Sequence, residues 1–340
     1  MKYSIGYQLA DSYDSTYSLC RDYGQNISDV YFSWANEPGG RMPLCSDDEK
    51  SVEETISCQL GELKEIRKLG ISLTLLFNAN CYGDMANSDK LAKKIIKLCE
   101  ALKKELDISA VTTTSPFIAK NLKSFFSNDL IIKASVNMRV STTHAIDQLS
   151  SFFDGFYIAK ELNRNLSEIS HLSDYCAKHG KSLHILANSG CLSFCGFQTY
   201  HDNLVAHHKY MQTSNEQYPS PCWEYLHSLP ADDALAKILS SNWIRPEDIK
   251  NYEPYFDEMK LATRMHSSPR RVVSAYVRGR FPGNLLDLFE PSFSTLFYGT
   301  VLDNRLILED FFEMTSSCGK KCENCSYCKN VANLIACKYR

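Results

Sequence analysis

The chain has 340 residues, with a hydrophobic fraction of 44% and a charged fraction of 23%, proportions that indicate a globular protein with a sizeable core. Its formal net charge of −3 gives no support for a nucleic-acid or membrane-surface partner, although it does not exclude a local basic groove. No run of about 18 apolar residues is present, and the first residues lack the apolar core of a signal peptide. We therefore expect a cytoplasmic protein without membrane insertion.

Strand-like and helix-like segments alternate along the first half of the chain. The predicted strands are 2–9, 29–35, 71–78, 110–114, 130–137, 155–159 and 182–187. The predicted helices are 14–23, 47–69, 87–106, 116–126, 142–152 and 165–179. Because such alternation gives a parallel sheet with right-handed crossovers, seven strand–helix units predict an α/β fold, a (β/α)8 TIM-like barrel.

Residues 191–240 interrupt this alternation, since they are rich in His, Tyr, Pro and Cys and show no clean periodicity. A segment of this length between barrel elements is typical of a functional loop, here at the barrel mouth. An eighth strand is predicted within 255–262, followed by a helix at 270–278. We therefore divide the chain into a barrel at 1–290 and a C-terminal extension with a cysteine-rich tail at 291–340.

Cysteines are the most informative residues of the chain. There are fourteen of them, and cytoplasmic thiols stay reduced, so metal ligation is the leading interpretation. Cys191 and Cys195 follow the predicted seventh strand, at the end of a barrel where catalytic residues lie. Together with Cys222 they predict a metal centre at the barrel mouth. The alternative is that these three cysteines only pack against neighbours.

The fourth ligand of this centre has to come from elsewhere in the chain. Cys45 is the leading candidate, because it lies in a Gly/Pro-rich loop after the second strand, at the same end of the barrel. Cys81, after the third strand, is the second candidate. We expect core packing for Cys20, Cys58 and Cys99, which fall inside predicted amphipathic helices. We expect Cys176 and Cys337 to be structural.

A second cysteine group lies in the tail. Cys318, Cys322, Cys325 and Cys328 fall within eleven residues. Short spacers of this kind let one chain segment surround a soft metal, so they predict an iron–sulfur cluster or a zinc site. The alternative is a group of thiols without a ligand, which would leave several reactive side chains exposed.

Several short runs of the sequence resemble a known family. They are Met1-Lys-Tyr-Ser-Ile-Gly, Asn188-Ser-Gly-Cys-Leu-x-x-Cys with His201 and Asn203, Ile244-Arg-Pro-Glu-Asp, Lys260-x-x-x-Arg264, and Tyr276 to Gly283-Asn-Leu-Leu-Asp-Leu. These runs resemble the collagenase-like U32 peptidase family, especially its short members of the ubiquinone-biosynthesis type. The resemblance extends from residue 1 to about residue 290.

This resemblance implies an eight-stranded barrel with an oxygen-sensitive 4Fe-4S cluster held by four cysteines. By position, Cys45 resembles the early ligand of the family, and Cys191, Cys195 and Cys222 resemble the later group. The family's well-understood members hydroxylate ubiquinone precursors or RNA bases without dioxygen, with prephenate linked to the reaction. The short members work in pairs, which implies a partner subunit of the same family.

Three cations and one histidine complete the candidate site. Arg41, Lys260 and Arg264 are expected at the rim, where they would bind a dicarboxylate such as prephenate. Each could instead be a surface charge or part of a structural ion pair. His201 is a candidate for proton transfer or ligation.

We therefore expect an oxygen-independent hydroxylase or a cluster-bearing subunit of one, with a small aromatic or peptide substrate. The alternative is a metal-dependent or cysteine-type peptidase, although neither Gly-x-Ser-x-Gly nor His-Glu-x-x-His occurs in the chain.

Overall fold

The computed structural model describes residues 1–9, 14–35, 37–40, 51–207 and 220–338. Within these residues, eight parallel strands form one sheet in the order β7-β6-β5-β4-β3-β2-β1-β8. They are β1 (Lys2–Gly6), β2 (Ile27–Ser33), β3 (Ser72–Phe77), β4 (Ala110–Thr113), β5 (Ile131–Ala134), β6 (Gly155–Tyr157), β7 (Ser182–His184) and β8 (Glu258–Lys260).

Closure of the sheet depends on β8, which pairs with β1 on one side and meets β7 on the other. The backbone N–H of Lys260 donates to the carbonyl of Ile185 at 3.0 Å, and the N–H of Ala187 donates to the carbonyl of Lys260 at 2.9 Å. Both edge strands are thereby paired, which is what defines a barrel. The predicted TIM-like (β/α)8 fold is confirmed.

Helices alternate with the first seven strands, as the sequence predicts. The helices before residue 190 are α1 (Thr16–Tyr23), α2 (Val52–Lys68), α3 (Asp89–Leu106), α4 (Pro116–Phe126), α5 (Thr143–Leu149) and α6 (Leu166–Lys178). Local capping explains where they begin: the side chains of Ser88, Thr142 and Asn165 each accept a hydrogen bond from a backbone N–H of the first turn. The predicted bounds of α4 match the observed ones.

The segment 191–240 is not the loop that its composition indicates. Its described residues form three short helices, α7 (Gln198–Ala206), α8 (Pro221–His227) and α9 (Ala231–Leu239). They are followed by α10 (Pro269–Arg278), β9 (Thr300–Leu302), α11 (Phe311–Ser316), α12 (Tyr327–Ile335) and β10 (Ala336–Lys338). Helices of two or three turns produce only a short periodic pattern, so the apolar spacing did not reveal them in a segment rich in His, Tyr, Pro and Cys.

Two hydrophobic clusters hold the molecule together. The first lies between the strands and the helices α1–α6 and includes Ile5, Val30 and Leu73. The second, the C-terminal hydrophobic cluster, is built around Trp243, Phe289, Phe311, Leu235 and Ile335, together with neighbouring buried side chains. Since its members come from both sides of residue 290, the predicted extension packs against the segment that follows β7.

The cysteines that are not predicted as metal ligands differ in burial. Cys20, Cys99 and Cys176 are buried, as predicted for helix positions that face the core. Cys58 is exposed, so the prediction that it packs in the core is wrong: its position on α2 faces solvent. Cys337 is exposed on β10. In the part of the chain that the structure describes, no helix is long and apolar enough to cross a membrane.

Candidate metal centre at the barrel mouth

The segment after β7 carries the first two cysteines of the candidate centre. Asn188 anchors it: its buried amide donates to the carbonyls of Ala262 at 2.9 Å and Leu288 at 2.8 Å, and accepts from the N–H of Ala262 at 2.6 Å. The N–H of Gly190 donates to the carbonyl of Glu290 at 2.9 Å. These bonds tie the start of the cysteine segment to Ala262, just after β8, and to the backbone at 288–290.

Cys191, Cys195 and Cys222 are all half-buried. Burial raises the pKa of the Cys222 thiol, and the neighbouring charges of Cys191 and Cys195 raise it further. Burial likewise raises the pKa of Cys195, and Cys191 adds to that effect. Cys195 and Cys222 pack against the same C-terminal hydrophobic cluster, and Cys191 precedes Cys195 by four residues, so the fold places in one region cysteines that the sequence separates by up to thirty-one residues.

Two cations that are not predicted as site residues follow neighbouring strands at this end of the barrel and act on Cys195. Lys160, in the turn after β6, is only 4% exposed, and Arg139 follows β5. The charges of both residues lower the pKa of Cys195 and so oppose the larger effect of burial. Their only signal in the sequence is a position just after a predicted strand. Positive charge beside buried sulfur favours thiolates and anionic ligands.

Helix α7 closes over the loop that follows β3. Asp202, which is 8% exposed, accepts a hydrogen bond from the Asn80 amide at 3.2 Å. The carbonyl oxygen of Asn80 and that of the Gln198 side chain are buried and have no hydrogen-bond donor among the described residues. His201 lies on the same helix. The contact between α7 and the β3 loop, unforeseen in the sequence, places amide groups next to the cysteine segment.

Lys260 and Arg264 occupy different depths of the barrel. The Lys260 ammonium lies 3.7 Å from the ring centroid of Tyr31 and 4.9 Å from that of Tyr157. Since β8, β2 and β6 are not neighbours in the sheet, these contacts cross the barrel interior, and Lys260 therefore lies inside the barrel. Burial lowers its pKa to about 7.

Arg264 follows β8 at the carboxyl end of the barrel and is 5% exposed. Its guanidinium donates to the hydroxyl of Ser33 at the end of β2. The backbone of Arg264 packs so closely on β1 that a Cβ on Gly6 would lie 2.7 Å from the Arg264 nitrogen. Arg41 and Cys45, the remaining predicted members of this site, lie outside the described residues.

The four tail cysteines lie between α11 and the first turn of α12. Cys318, Cys322 and Cys325 are exposed, and Cys328 is half-buried. Burial raises the pKa of Cys328, the charge of Arg164 opposes this, and Cys322 and Cys318 raise it again. Among the residues described here, no three Cys, His, Asp or Glu side chains are already close enough to hold a metal ion, either in the tail or at the mouth.

The thiols at the mouth suit an iron–sulfur cluster in donor type and in surrounding charge. Soft sulfur donors select iron–sulfur clusters or zinc, and cations beside the sulfurs offset the negative charge of such centres. Metal binding would have to draw these thiols together, as it does wherever binding is coupled to local folding.

Comparison with known proteins agrees with this architecture. The chain is 27% identical over 279 residues to the uncharacterized protease MJ1657 of Methanocaldococcus jannaschii. This match covers 78% of the chain and 77% of the relative. The solved structure of the U32 peptidase Mk0906 superposes with a TM-score of 0.55 at 14% identity, covering 77% of this chain and 93% of that one. The predicted resemblance to the U32 peptidase family is confirmed. No family model matches the sequence.

This U32-like chain places its cysteine segment where the fold places functional groups, at the carboxyl ends of the barrel strands. The likeness to Mk0906 concerns the fold, because the two sequences share only 14% of their residues. The finer resemblance to the ubiquinone-biosynthesis type stays a prediction.

Proposed function

We propose that this chain is an iron–sulfur protein that binds one cluster at the barrel mouth through Cys191, Cys195 and Cys222, with Cys45 as the fourth ligand. The observation that carries the proposal is that Cys191 and Cys195 follow β7 at the carboxyl end of the barrel, where Cys195 and the half-buried Cys222 pack against the same hydrophobic cluster. Packing alone would not require three thiols beside two cations, whereas an anionic cluster would.

The reaction we propose is oxygen-independent hydroxylation, carried out by this chain alone or as the cluster-bearing subunit of a pair. The cluster, when bound, supplies one-electron redox chemistry. Arg264 offers a guanidinium, oriented by Ser33, to a carboxylate of a substrate such as prephenate. Lys160 and Arg139 hold positive charge on the same side as the cysteines. Arg41 and His201 stay proposed members of this site.

A peptidase is the second candidate, favoured by the protease name of the Methanocaldococcus jannaschii relative and by the U32 peptidase with a similar fold. A cysteine peptidase needs a thiol with a lowered pKa, because the thiolate is the nucleophile. Burial instead raises the pKa of Cys195 and Cys222. A zinc-dependent peptidase would use the same cysteines as metal ligands.

The first experiment is to purify the full chain under strict anaerobic conditions and to measure iron, acid-labile sulfide and zinc. One cluster corresponds to about four irons and four sulfides per chain. We expect Cys191→Ser and Cys195→Ser to lose these four irons, whereas Cys58→Ser, which removes an exposed thiol on α2, keeps them. Full iron in the Cys191→Ser protein would contradict the proposed site.

Activity distinguishes the remaining alternatives. Hydroxylation of an aromatic substrate with prephenate and without dioxygen, by the chain alone, would support the enzyme. Hydroxylation only after a second protein of the family is added would support the subunit. Zinc in place of iron, together with cleavage of a peptide, would overturn the hydroxylase and establish the peptidase.

A further inference from the structure

Arg164 is a buried cation whose hydrogen bonds are incomplete. The residue follows β6 and is only 5% exposed. Its Nε donates to the carbonyl of Trp243 at 3.0 Å, and its Nη1 donates to the carbonyl of Leu239 at 2.8 Å. Its Nη2 is buried and has no hydrogen-bond partner among the described residues. An unpaired N–H on a buried guanidinium is costly, so it marks a place where an anionic partner is expected.

A row of aromatic rings joins Arg164 to the tail. Its guanidinium carbon lies 4.3 Å from the ring centroid of Trp243 and 5.3 Å from that of Phe311. The ring of Phe311 in turn stacks on that of Tyr327, with centroids 6.4 Å apart. Tyr327 begins α12 and directly precedes Cys328. The buried cation is therefore packed against the base of the cysteine-rich tail.

The charged groups around Arg164 agree with this placement. Cys328 and Cys318 both interact electrostatically with Arg164, as does the carboxyl of Asp248. Asp248 forms no ion pair with Arg164 among the described residues, so it does not satisfy the free N–H. Lys320 is a second, half-buried cation that lies between Cys318 and Cys322 in the chain.

We propose that Cys318, Cys322, Cys325 and Cys328 bind a thiophilic metal as a tetrathiolate centre, and that Arg164 and Lys320 compensate its negative charge. Four thiolates around a dication, or around an oxidised 4Fe-4S core, leave a net charge of about −2. Such a dianion beside the C-terminal hydrophobic cluster needs nearby cations. The exposed thiols close around the half-buried Cys328 when the metal binds.

The proposed tail centre shares no cysteine with the centre proposed at the mouth. Cys195, Cys222 and Cys328 all pack against the C-terminal hydrophobic cluster. The tail thiols, however, lie between α11 and the first turn of α12, whereas Cys191 and Cys195 lie in the segment that follows β7. Substitutions in one group therefore leave the charges and donors of the other in place.

The test compares tail variants of the full chain. Iron, sulfide and zinc are measured in the anaerobic protein for Cys322→Ser, Cys325→Ser and the double variant. The matched control is Cys337→Ser, an exposed cysteine on β10 outside the group. We expect the double variant to lose one zinc, or about four irons with four sulfides, that the control retains. Loss of iron identifies a cluster, and loss of zinc identifies a zinc site.

Unchanged metal content in the double variant would overturn the proposal. Its failure is distinguishable from that of the proposed function, because Cys191→Ser reports on the mouth alone. A second readout uses the metal-free reduced chain titrated with Co²⁺. Thiolate-to-cobalt absorption should appear in the Cys191→Ser chain and be lost when Cys322→Ser and Cys325→Ser are combined with it.

Charge compensation has its own test. Lys320→Met and Arg164→Met should each weaken Co²⁺ binding to the Cys191→Ser chain by about tenfold, and Arg164→Lys should restore part of the loss. Because Arg164 also donates to two carbonyls, the melting temperature of each variant is measured alongside. Lys320 makes no such structural bond among the described residues. An unchanged Kd in Lys320→Met and Arg164→Met would show that neither cation compensates the centre.

Discussion

Lys160 and Arg164 lie four residues apart on the turn after β6, and each acts on a different group of cysteines. Burial raises the pKa of both Cys195 and Cys328; Lys160 opposes this effect at Cys195, and Arg164 opposes it at Cys328. One short turn of the barrel thus supplies positive charge both to the mouth and to the tail. Asn163, which lies between these two cations, fixes the turn in place. Its side-chain amide donates to the carbonyls of Leu186 and Asn242 at 2.7 Å each.

Replacing Lys160 by methionine removes the positive charge at the mouth while keeping an apolar stem of similar length. If the mouth binds a cluster, Lys160→Met should shift its midpoint potential to a more negative value, because the reduced cluster carries more negative charge. The measurement is a redox titration followed by electron paramagnetic resonance. Lys120→Met, at an exposed position on α4, is the control. Equal potentials in both variants would contradict the placement of the cluster beside Lys160.

Lys260 makes the stability of the fold depend on pH. Burial lowers its pKa to about 7, whereas the unfolded side chain titrates near 10.5. Between these values the unfolded chain binds more protons, so the free energy of unfolding gained from Lys260 rises with pH, by up to about 1.4 kcal/mol per pH unit. The contribution is smallest below pH 7.

The check is urea unfolding of the wild type and Lys260→Met at pH 7, 8 and 9. Subtracting the two curves removes the titration of the thiols, which both proteins share. We expect the free energy of unfolding of the wild type to increase relative to that of Lys260→Met as the pH rises. A difference that is constant over this range would show that Lys260 is protonated in the folded chain.

Asn188 links three segments above the barrel through one side chain. Its three hydrogen bonds join the segment that follows β7 to Ala262 and to Leu288. Asn188→Ala would leave buried carbonyl and N–H groups unpaired, so we expect a loss of about 3 kcal/mol in the free energy of unfolding. Asn87→Ala, at an exposed position, should change it by less than about 0.5 kcal/mol. An Asn188→Ala protein as stable as the control would refute this anchoring role.

Thiol reactivity should follow the burial of the cysteines. In the reduced, metal-free native chain, iodoacetamide should modify Cys58, Cys322 and Cys325, which are exposed, faster than Cys20 and Cys99. Burial raises the pKa of both slow thiols to about 12, which leaves almost no thiolate to react. Peptide mass spectrometry after short labelling gives the rates. Metal loading should then protect Cys322 and Cys325 but not Cys58, and equal protection of Cys58 would point to a general loss of access.

Much of this fold could be predicted from the sequence, because its signals are local. A helix such as α4 begins at a proline after a serine cap and ends where its apolar spacing ends. The alternation of such helices with apolar runs leaves a parallel barrel as the simplest way to bury every strand. The position of Cys191 and Cys195 at the mouth follows from the same argument, since all parallel strands end on one face.

The contacts of each side chain depend on how the whole chain packs. The direction of Lys260 into the barrel depends on the register of β8 between β1 and β7, and register is set by closure of the whole sheet. The cations Lys160 and Arg164 act on cysteines that lie far away in the sequence, Cys195 and Cys328 respectively. Local signals in the sequence are enough to predict the barrel and its cysteine-bearing end. Which charges lie near which thiols depends on contacts between distant segments, because burial and proximity are properties of the packed chain.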